Sequence, residues 1–249
     1  MINFICKRKL ALNRRLLQCD YFLFANRETQ NYMRDLIGSV SNELYFDNGV
    51  SEDEILKPVA ITKTVEEKRI FLIAGRLAYR KGHRLLLDAI KLLPQDANCE
   101  FRFVGSGPEL GKLKRICKQY NLEKRIVFTG RISFSEMKEE YSRADVFIMP
   151  SIRETTGAVL LEAASNGVPV IAIDRFGGPV LFDDNSAYFY TGNKTSEYIS
   201  SLKNAIVNCI ECPSENYIKA QKAREIVQGQ TWKKKIEKYN NIYRKVLDQ

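Results

Sequence analysis

The sequence predicts an α/β fold built on a doubly wound parallel sheet, and three observations carry that prediction. From Arg69 onward, short runs that are apolar throughout alternate with stretches whose apolar residues recur at helical spacing. The first four runs stop at Gly75, Gly105, Gly130 and Pro150, residues that break strands and turn the chain. Strands without a polar face must be covered on both sides, and right-handed crossover helices do this for a parallel, Rossmann-like layer. The chain has 249 residues, 45% hydrophobic and 28% charged, enough for one large domain or two small ones.

Each element follows in order. Arg69–Ala74 (RIFLIA) is the first strand, and His83–Leu93 is a helix that stops before Pro94. Phe101–Val104 is the second strand, followed by a helix over Glu109–Tyr120 with Pro108 in its first turn, where a missing N–H does no harm. Arg125–Thr129 is the third strand, and Ser133 and Glu136 are spaced as a capping box for a helix over Phe134–Arg143. Asp145–Met149 is the fourth strand, Val159–Ser165 a short helix, Val168–Ile173 the fifth strand and Ala187–Tyr190 the sixth. Helices over Glu197–Cys209, Glu215–Val227 and Trp232–Val246 complete the chain. The first 65 residues read differently. A strand over Tyr21–Ala25, a helix over Glu28–Ile37, a strand over Glu43–Phe46 and the turn Asp47-Asn48-Gly49 make one βαβ-sized piece, too small to bury a core alone. Ser51–Lys68 is charged and aperiodic, as a linker is.

Composition excludes several chemistries. His83 is the single histidine, so a multi-histidine metal site is impossible and a Ser/His/Asp or Cys/His machine would have to use that one residue. At the start of a helix, His83 reads as a cap or surface residue. Six cysteines in a chain this long do not form a disulfide framework, which points to a reduced, cytoplasmic protein. Cys209 and Cys212 form a lone C-x-x-C without histidine support, and Asp183-Asp184 reads as a polar turn. No apolar run approaches the roughly 18 residues of a membrane span, and Met1–Leu10 places apolar residues before basic ones, the reverse of a secretory signal. The net charge of +9 is concentrated at the ends. Lys7, Arg8, Lys9, Arg14 and Arg15 face only Asp20 in the first 20 residues, and residues 219–249 hold nine Lys/Arg against three acids. Such ends fit either an anionic surface or solvated helix faces. Nucleic acid is not expected, because no recognition motif accompanies the charge.

Sheets of this kind bind ligands beyond the carboxyl ends of their strands, so the loops there carry the function. After the first strand, Gly75-Arg76 and Lys81-Gly82 place two cations beside a helix N-terminus, which suits a diphosphate or is a solvated basic loop. After the second, Gly105-Ser106-Gly107 to Gly111 resembles a dinucleotide fingerprint, but no acid ends the next strand to hold a ribose, which argues against NAD. After the fourth, Glu154 lies in a loop, Gly157 permits close backbone approach, and a helix beginning near Ala158 offers free N–H groups. Glu162 lies about one turn into that helix. Carboxylates beside a phosphate site suit sugar hydroxyls; otherwise Glu154 is a surface charge and Glu162 a helix-dipole partner.

In this order, the segments resemble the retaining glycosyltransferases of family 4, which have the GT-B fold. The resemblance runs through Gly75-Arg76-Leu77 with Lys81-Gly82, Phe103 to Pro108, Val127 to Arg131, the E-x7-E pair Glu154 and Glu162, Gly167 to Ala172 and Gly177-Gly178-Pro179, and covers about residues 69–249. Asn48-Gly49-Val50 resembles the turn that ends the family's N-terminal domain. The resemblance implies a donor-binding Rossmann-like domain over residues 66–228, the C-terminal half of a GT-B fold. Before it come a remnant of the acceptor domain with its linker over 1–65, and after it a crossover helix over 229–249. It implies that Arg76 and Lys81 hold the diphosphate and stabilise the leaving group, with Glu154 on the transferred sugar as the third catalytic residue. Glu162 would grip the ribose. Gly75, Gly105, Gly107, Thr155, Thr156, Gly157, Ala158 and Val159 would meet the donor's phosphates and sugar, and Arg131 and Ile132 its base. It implies no metal and no cofactor beyond the nucleotide-diphosphate sugar, transfer with retention, and a glycan or lipid-linked acceptor in surface polysaccharide or glycolipid synthesis. The short N-terminal piece raises an alternative: a non-catalytic nucleotide-sugar-binding subunit or truncated product that needs a separate acceptor-domain chain. The basic ends would place the protein on the inner face of the cell membrane, against anionic lipid.

Overall fold

The computed structural model describes residues 18–38, 42–46, 48–55, 64 and 66–248. The basic residues Lys7 to Lys9, Arg14 and Arg15, residue Asp47 of the expected turn and half of the expected linker lie outside them. The main sheet has six parallel strands: β3 (Arg69–Ala74), β4 (Cys99–Val104), β5 (Ile126–Gly130), β6 (Val146–Met149), β7 (Val170–Ile173) and β8 (Tyr188–Tyr190). Two shorter parallel strands, β1 (Phe22–Phe24) and β2 (Glu43–Tyr45), form a second sheet. The six strands lie in the order β5-β4-β3-β6-β7-β8, so the chain winds outward from β3 to one edge, returns, and winds from β6 to the other.

Alternate residues of the central strands feed two separate cores. Phe71, Ile73, Ile148 and Ile171 pack under α2 (His83–Lys91), α3 (Leu110–Gln119) and α7 (Thr195–Glu211). Leu72, Phe147, Met149 and Val170 pack under α4 (Phe134–Arg143), α5 (Ala158–Ser165) and α8 (Pro213–Gln228). This is why β3, β6 and β7 carry no polar face: their neighbouring side chains point to opposite, equally dry layers. The Ser133–Glu136 capping box forms as expected. Strand β4 starts two residues earlier than the apolar run indicates. Its outward Arg102 is held by Glu140 of α4 (Nε–Oε2 2.6 Å, Nη2–Oε1 2.8 Å) and by Glu100 at 2.9 Å, so its polar residues are matched in place.

The N-terminal piece is β1, α1 (Arg27–Ile37) and β2. It packs on the rest of the chain through the bridge Val50–Thr231, through Gly49 against the Trp232 ring, and through Phe46 and Tyr239 with ring centroids 5.6 Å apart. Trp232 and Tyr239 belong to the last helix, α9 (Trp232–Leu247), whose N-cap is Thr231. The expected linker opens with a 3-10 turn over Glu52–Glu54. A four-residue helix, α6 (Gly178–Leu181), is too short to show periodicity in the sequence. Among the described residues no helix is long and apolar enough to cross a membrane.

Candidate functional site

The topological switch point lies between β3 and β6, so the crevice beyond Ala74 and Met149 is where this fold takes ligands. The loop leaving β3 is tightly placed. Gly75 N–H donates to the Val104 carbonyl at 3.0 Å, Leu77 N–H to Ser106 at 3.0 Å, and the Leu77 carbonyl accepts from Glu109 N–H at 3.0 Å. A Cβ on Gly105 would stand 2.0 Å from the Gly75 carbonyl oxygen, and one on Gly107 2.3 Å from that of Leu77. These two glycines are therefore required by the contact between the β3 and β4 loops. Gly75, by contrast, has open space where a side chain would be. The Arg76 side chain is exposed and makes no ion pair among the described residues.

The β3 and β6 loops are stitched together across the switch point. After the 3-10 turn Tyr79–Lys81, Gly82 turns left-handed (φ 67°) directly against Pro150, and Ile152 N–H donates to the Arg80 carbonyl at 3.1 Å. Lys81 then forms an ion pair with Glu154. The Glu154 carboxylate also accepts from the buried Ser151 hydroxyl at 3.3 Å and from Thr155 N–H at 3.2 Å. Of the sequence-predicted residues, Lys81 and Glu154 thus meet across the switch point, and Arg76 lies exposed in the same β3 loop as Lys81.

Helix α5 begins at this crevice. Gly157 is left-handed (φ 69°) at its N-cap, and the N–H groups of Ala158 and Val159 find no acceptor among the described residues. A Cβ on Gly177 would lie 2.4 Å from the Thr156 carbonyl carbon, so the β7 loop abuts the Thr156–Gly157 peptide. Glu162 accepts from the buried Tyr141 hydroxyl at 3.2 Å. Partial burial raises the Glu162 pKa, the Tyr141 hydrogen bond opposes this, and the Glu54 charge adds to it. Its other carboxylate oxygen has no partner among the described residues. Arg131 is exposed and Ile132 half-buried, just past β5, two strands from the switch point on the same edge of the sheet.

The sequence reading missed three groups that position this site. Asn26 Nδ2 donates to the Thr155 carbonyl at 3.0 Å, Asn48 Nδ2 to the Thr156 hydroxyl at 3.2 Å, and Glu28 accepts from Phe176 N–H at 3.0 Å and Arg175 Nε at 3.4 Å. The N-terminal piece therefore holds both loops that flank the α5 N-terminus. Only Asn48 had a signal, in its Asn-Gly-Val turn. His83 is a correction: it is buried at 4% exposure, not a surface or capping residue, because it packs inward with Phe103. Burial, aided by the Lys81 charge, pushes its pKa down to about 4.

Comparison with known proteins bears on the fold and the family. The chain is 29% identical over 158 residues to the uncharacterized glycosyltransferase MJ1607 of Methanocaldococcus jannaschii, a match covering 62% of this chain and 40% of that protein. It is 25% identical over 222 residues to the sulfoquinovosyl transferase SQD2 of Arabidopsis thaliana, covering 83% of this chain and 40% of that one. The chain thus spans about two fifths of each relative. Among solved structures, the sucrose-phosphate synthase of Thermosynechococcus elongatus superposes with TM-score 0.74 at 24% identity, over 95% of this chain and 60% of that one. The Anabaena protein HepE, solved in complex with UDP, superposes with TM-score 0.74 at 20% identity, over 93% of this chain and 64% of that one. Both show the same GT-B architecture. The model of the glycosyl transferases group 1 family matches residues 57–226, spanning β3 to α8 and every predicted site residue, so the chain belongs to that family.

Proposed function

We propose that the crevice binds a nucleotide-diphosphate sugar and that the sugar is transferred, with retention and without a metal, to a glycan or lipid-linked acceptor. The observation that carries this reading is the Lys81–Glu154 pair across the switch point, beside the open start of α5. Arg76 and Lys81 face the diphosphate, and the free N–H groups of Ala158 and Val159 add the helix dipole to the same charge. An ammonium has three donors, so Lys81 can keep Glu154 while bonding a phosphate oxygen. Glu154, held by Ser151 and Thr155, orients hydroxyls of the transferred sugar. Glu162, with one oxygen on Tyr141, presents the other to the ribose. The phosphate departing from the anomeric carbon gathers charge that Arg76 and Lys81 stabilise, and it accepts the acceptor's proton on the same face. That HepE, of the same fold, was solved in complex with UDP supports a nucleoside diphosphate as the ligand class. Surface polysaccharide or glycolipid synthesis beside an anionic membrane is the setting we infer from the basic ends.

A second reading is that this chain binds the donor and a separate chain supplies the acceptor site. Thermal unfolding with UDP, GDP, their sugars and NAD tests the donor assignment. A ligand at 100 times its Kd stabilises by about 2.7 kcal/mol. Stabilisation by a nucleoside diphosphate and its sugar, but not by NAD, is expected; a folded protein indifferent to all sugar nucleotides would refute it. Transfer by the chain alone, measured against transfer with an added acceptor-domain chain, separates the two readings.

A further inference from the structure

A second cavity, of about 370 Å³, lies away from the crevice and shares none of its residues. Strand β2 walls it with Glu43 and Tyr45, and the start of α9 walls it with Lys234, Lys235, Lys238 and Tyr239. Its only carboxylate among the described residues, Glu43, already receives both Arg34 and the Gln30 amide, so that charge is matched within the N-terminal piece. Lys235 is only 6% exposed, and its ammonium donates to Gln230 Oε1 at 2.5 Å. Lys234 donates to the Gln228 carbonyl at 2.8 Å, and neither it nor Lys238 has a carboxylate partner among the described residues. Lys234 and Lys238 thus bring two ammonium groups to one concave space whose carboxylate is already paired. A cluster of compact, strongly hydrated cations suits phosphate, and the volume exceeds what a bare phosphate needs.

We propose that this cavity binds a phosphate ester on a small polyol, either a soluble molecule or the headgroup of a phospholipid. The ester enters between β2 and α9, its phosphate between Lys234 and Lys238 and its hydroxyls toward Tyr45 and Tyr239. Occupancy ties the N-terminal piece to the last helix, the two elements that already meet through Phe46 and Tyr239. The inference is independent of the donor reading, because no crevice residue takes part.

The test uses the full chain carrying Arg76→Ala, so that the crevice contributes little, and titrates glycerol 3-phosphate and inorganic phosphate by calorimetry. Vesicles of neutral phosphatidylcholine, with and without phosphatidylglycerol, form the lipid arm. Saturable binding of glycerol 3-phosphate, or of the phosphatidylglycerol vesicles alone, is expected, and it identifies the soluble or the lipid source. Lys234→Gln with Lys238→Gln, both at exposed positions, should weaken it about tenfold or more. Arg244→Gln with Lys245→Gln removes the same charge at the far end of α9 and should leave binding unchanged. Absence of saturable binding to any of these probes would overturn the proposal. So would equal loss in the two double variants, since net charge alone would then explain the effect.

Discussion

Gly82 offers a quantitative test of how the crevice is held. It sits at φ 67° and ψ 11°, and an added Cβ would lie 1.8 Å from the Pro150 carbonyl oxygen and 2.8 Å from its carbon. Alanine there meets two costs. The left-handed conformation costs roughly 1–2 kcal/mol for an L residue. Relieving the contact forces the β3 and β6 loops apart, comparable to an overpacked core at roughly 1–3 kcal/mol. Gly130 is the matched control: it has a similar φ of 78° but nothing within 4 Å of its Cβ position. Gly130→Ala should therefore show only the conformational cost, and Gly82→Ala should be less stable than it by about 1–3 kcal/mol. Urea unfolding reads this as a lower midpoint at unchanged slope. Because the same movement separates Lys81 from Glu154, Gly82→Ala should also lose nucleotide affinity. Equal stability of the two variants would refute the argument that the Pro150 contact, and not backbone conformation alone, requires glycine at 82.

Glu162→Gln should weaken nucleoside diphosphate binding by roughly tenfold or more, as expected for a charged hydrogen bond to ribose, and Tyr141→Phe by less; unchanged affinity in titration calorimetry would remove Glu162 from the ribose. Asn48→Ala should cost less than about 1.5 kcal/mol of stability yet lower nucleotide affinity several-fold, because it frees the Thr156 loop at the start of α5; a change in stability with unchanged affinity would confine Asn48 to folding. His83 is neutral when folded and titrates near its ordinary value when unfolded, so the unfolded chain takes up the proton first. Stability is thereby lost as pH falls from about 6.5 to about 4, by an amount on the order of 3 kcal/mol. His83→Leu should flatten the stability profile in that window, and a parallel profile would contradict the burial argument.

Most of the main sheet was legible because its central strands are buried on both faces. Runs such as Arg69–Ala74 and Asp145–Met149 leave little choice of environment, and the glycine or proline after each marks the crevice edge. The Ser133–Glu136 box was equally local. Legibility failed where partners are distant in sequence or periods are too short. Asn26 reaches Thr155 across 129 positions, and nothing near either residue announces the contact. Helix α6 is a single turn, and β4 hid its start behind Glu100, whose charge is matched by Lys68 and by Arg102 of the same strand. His83 follows two polar residues and a glycine, so its burial against Phe103 could be read only from the packed structure. At Gly105 and Gly107 the sequence motif was clear but its packing reason was not: both make room for the neighbouring loop.

The central claim is that the edge of the sheet between β3 and β6 holds the donor diphosphate. Calorimetric titration of UDP and GDP into the wild-type chain and into Arg76→Ala/Lys81→Ala, with folding checked by circular dichroism, tests it most directly. Two charge-assisted contacts of about 1.5–3 kcal/mol each predict saturable wild-type binding that falls by at least about 100-fold in the variant. Binding of equal affinity to the folded double variant would place the nucleotide elsewhere and contradict the account.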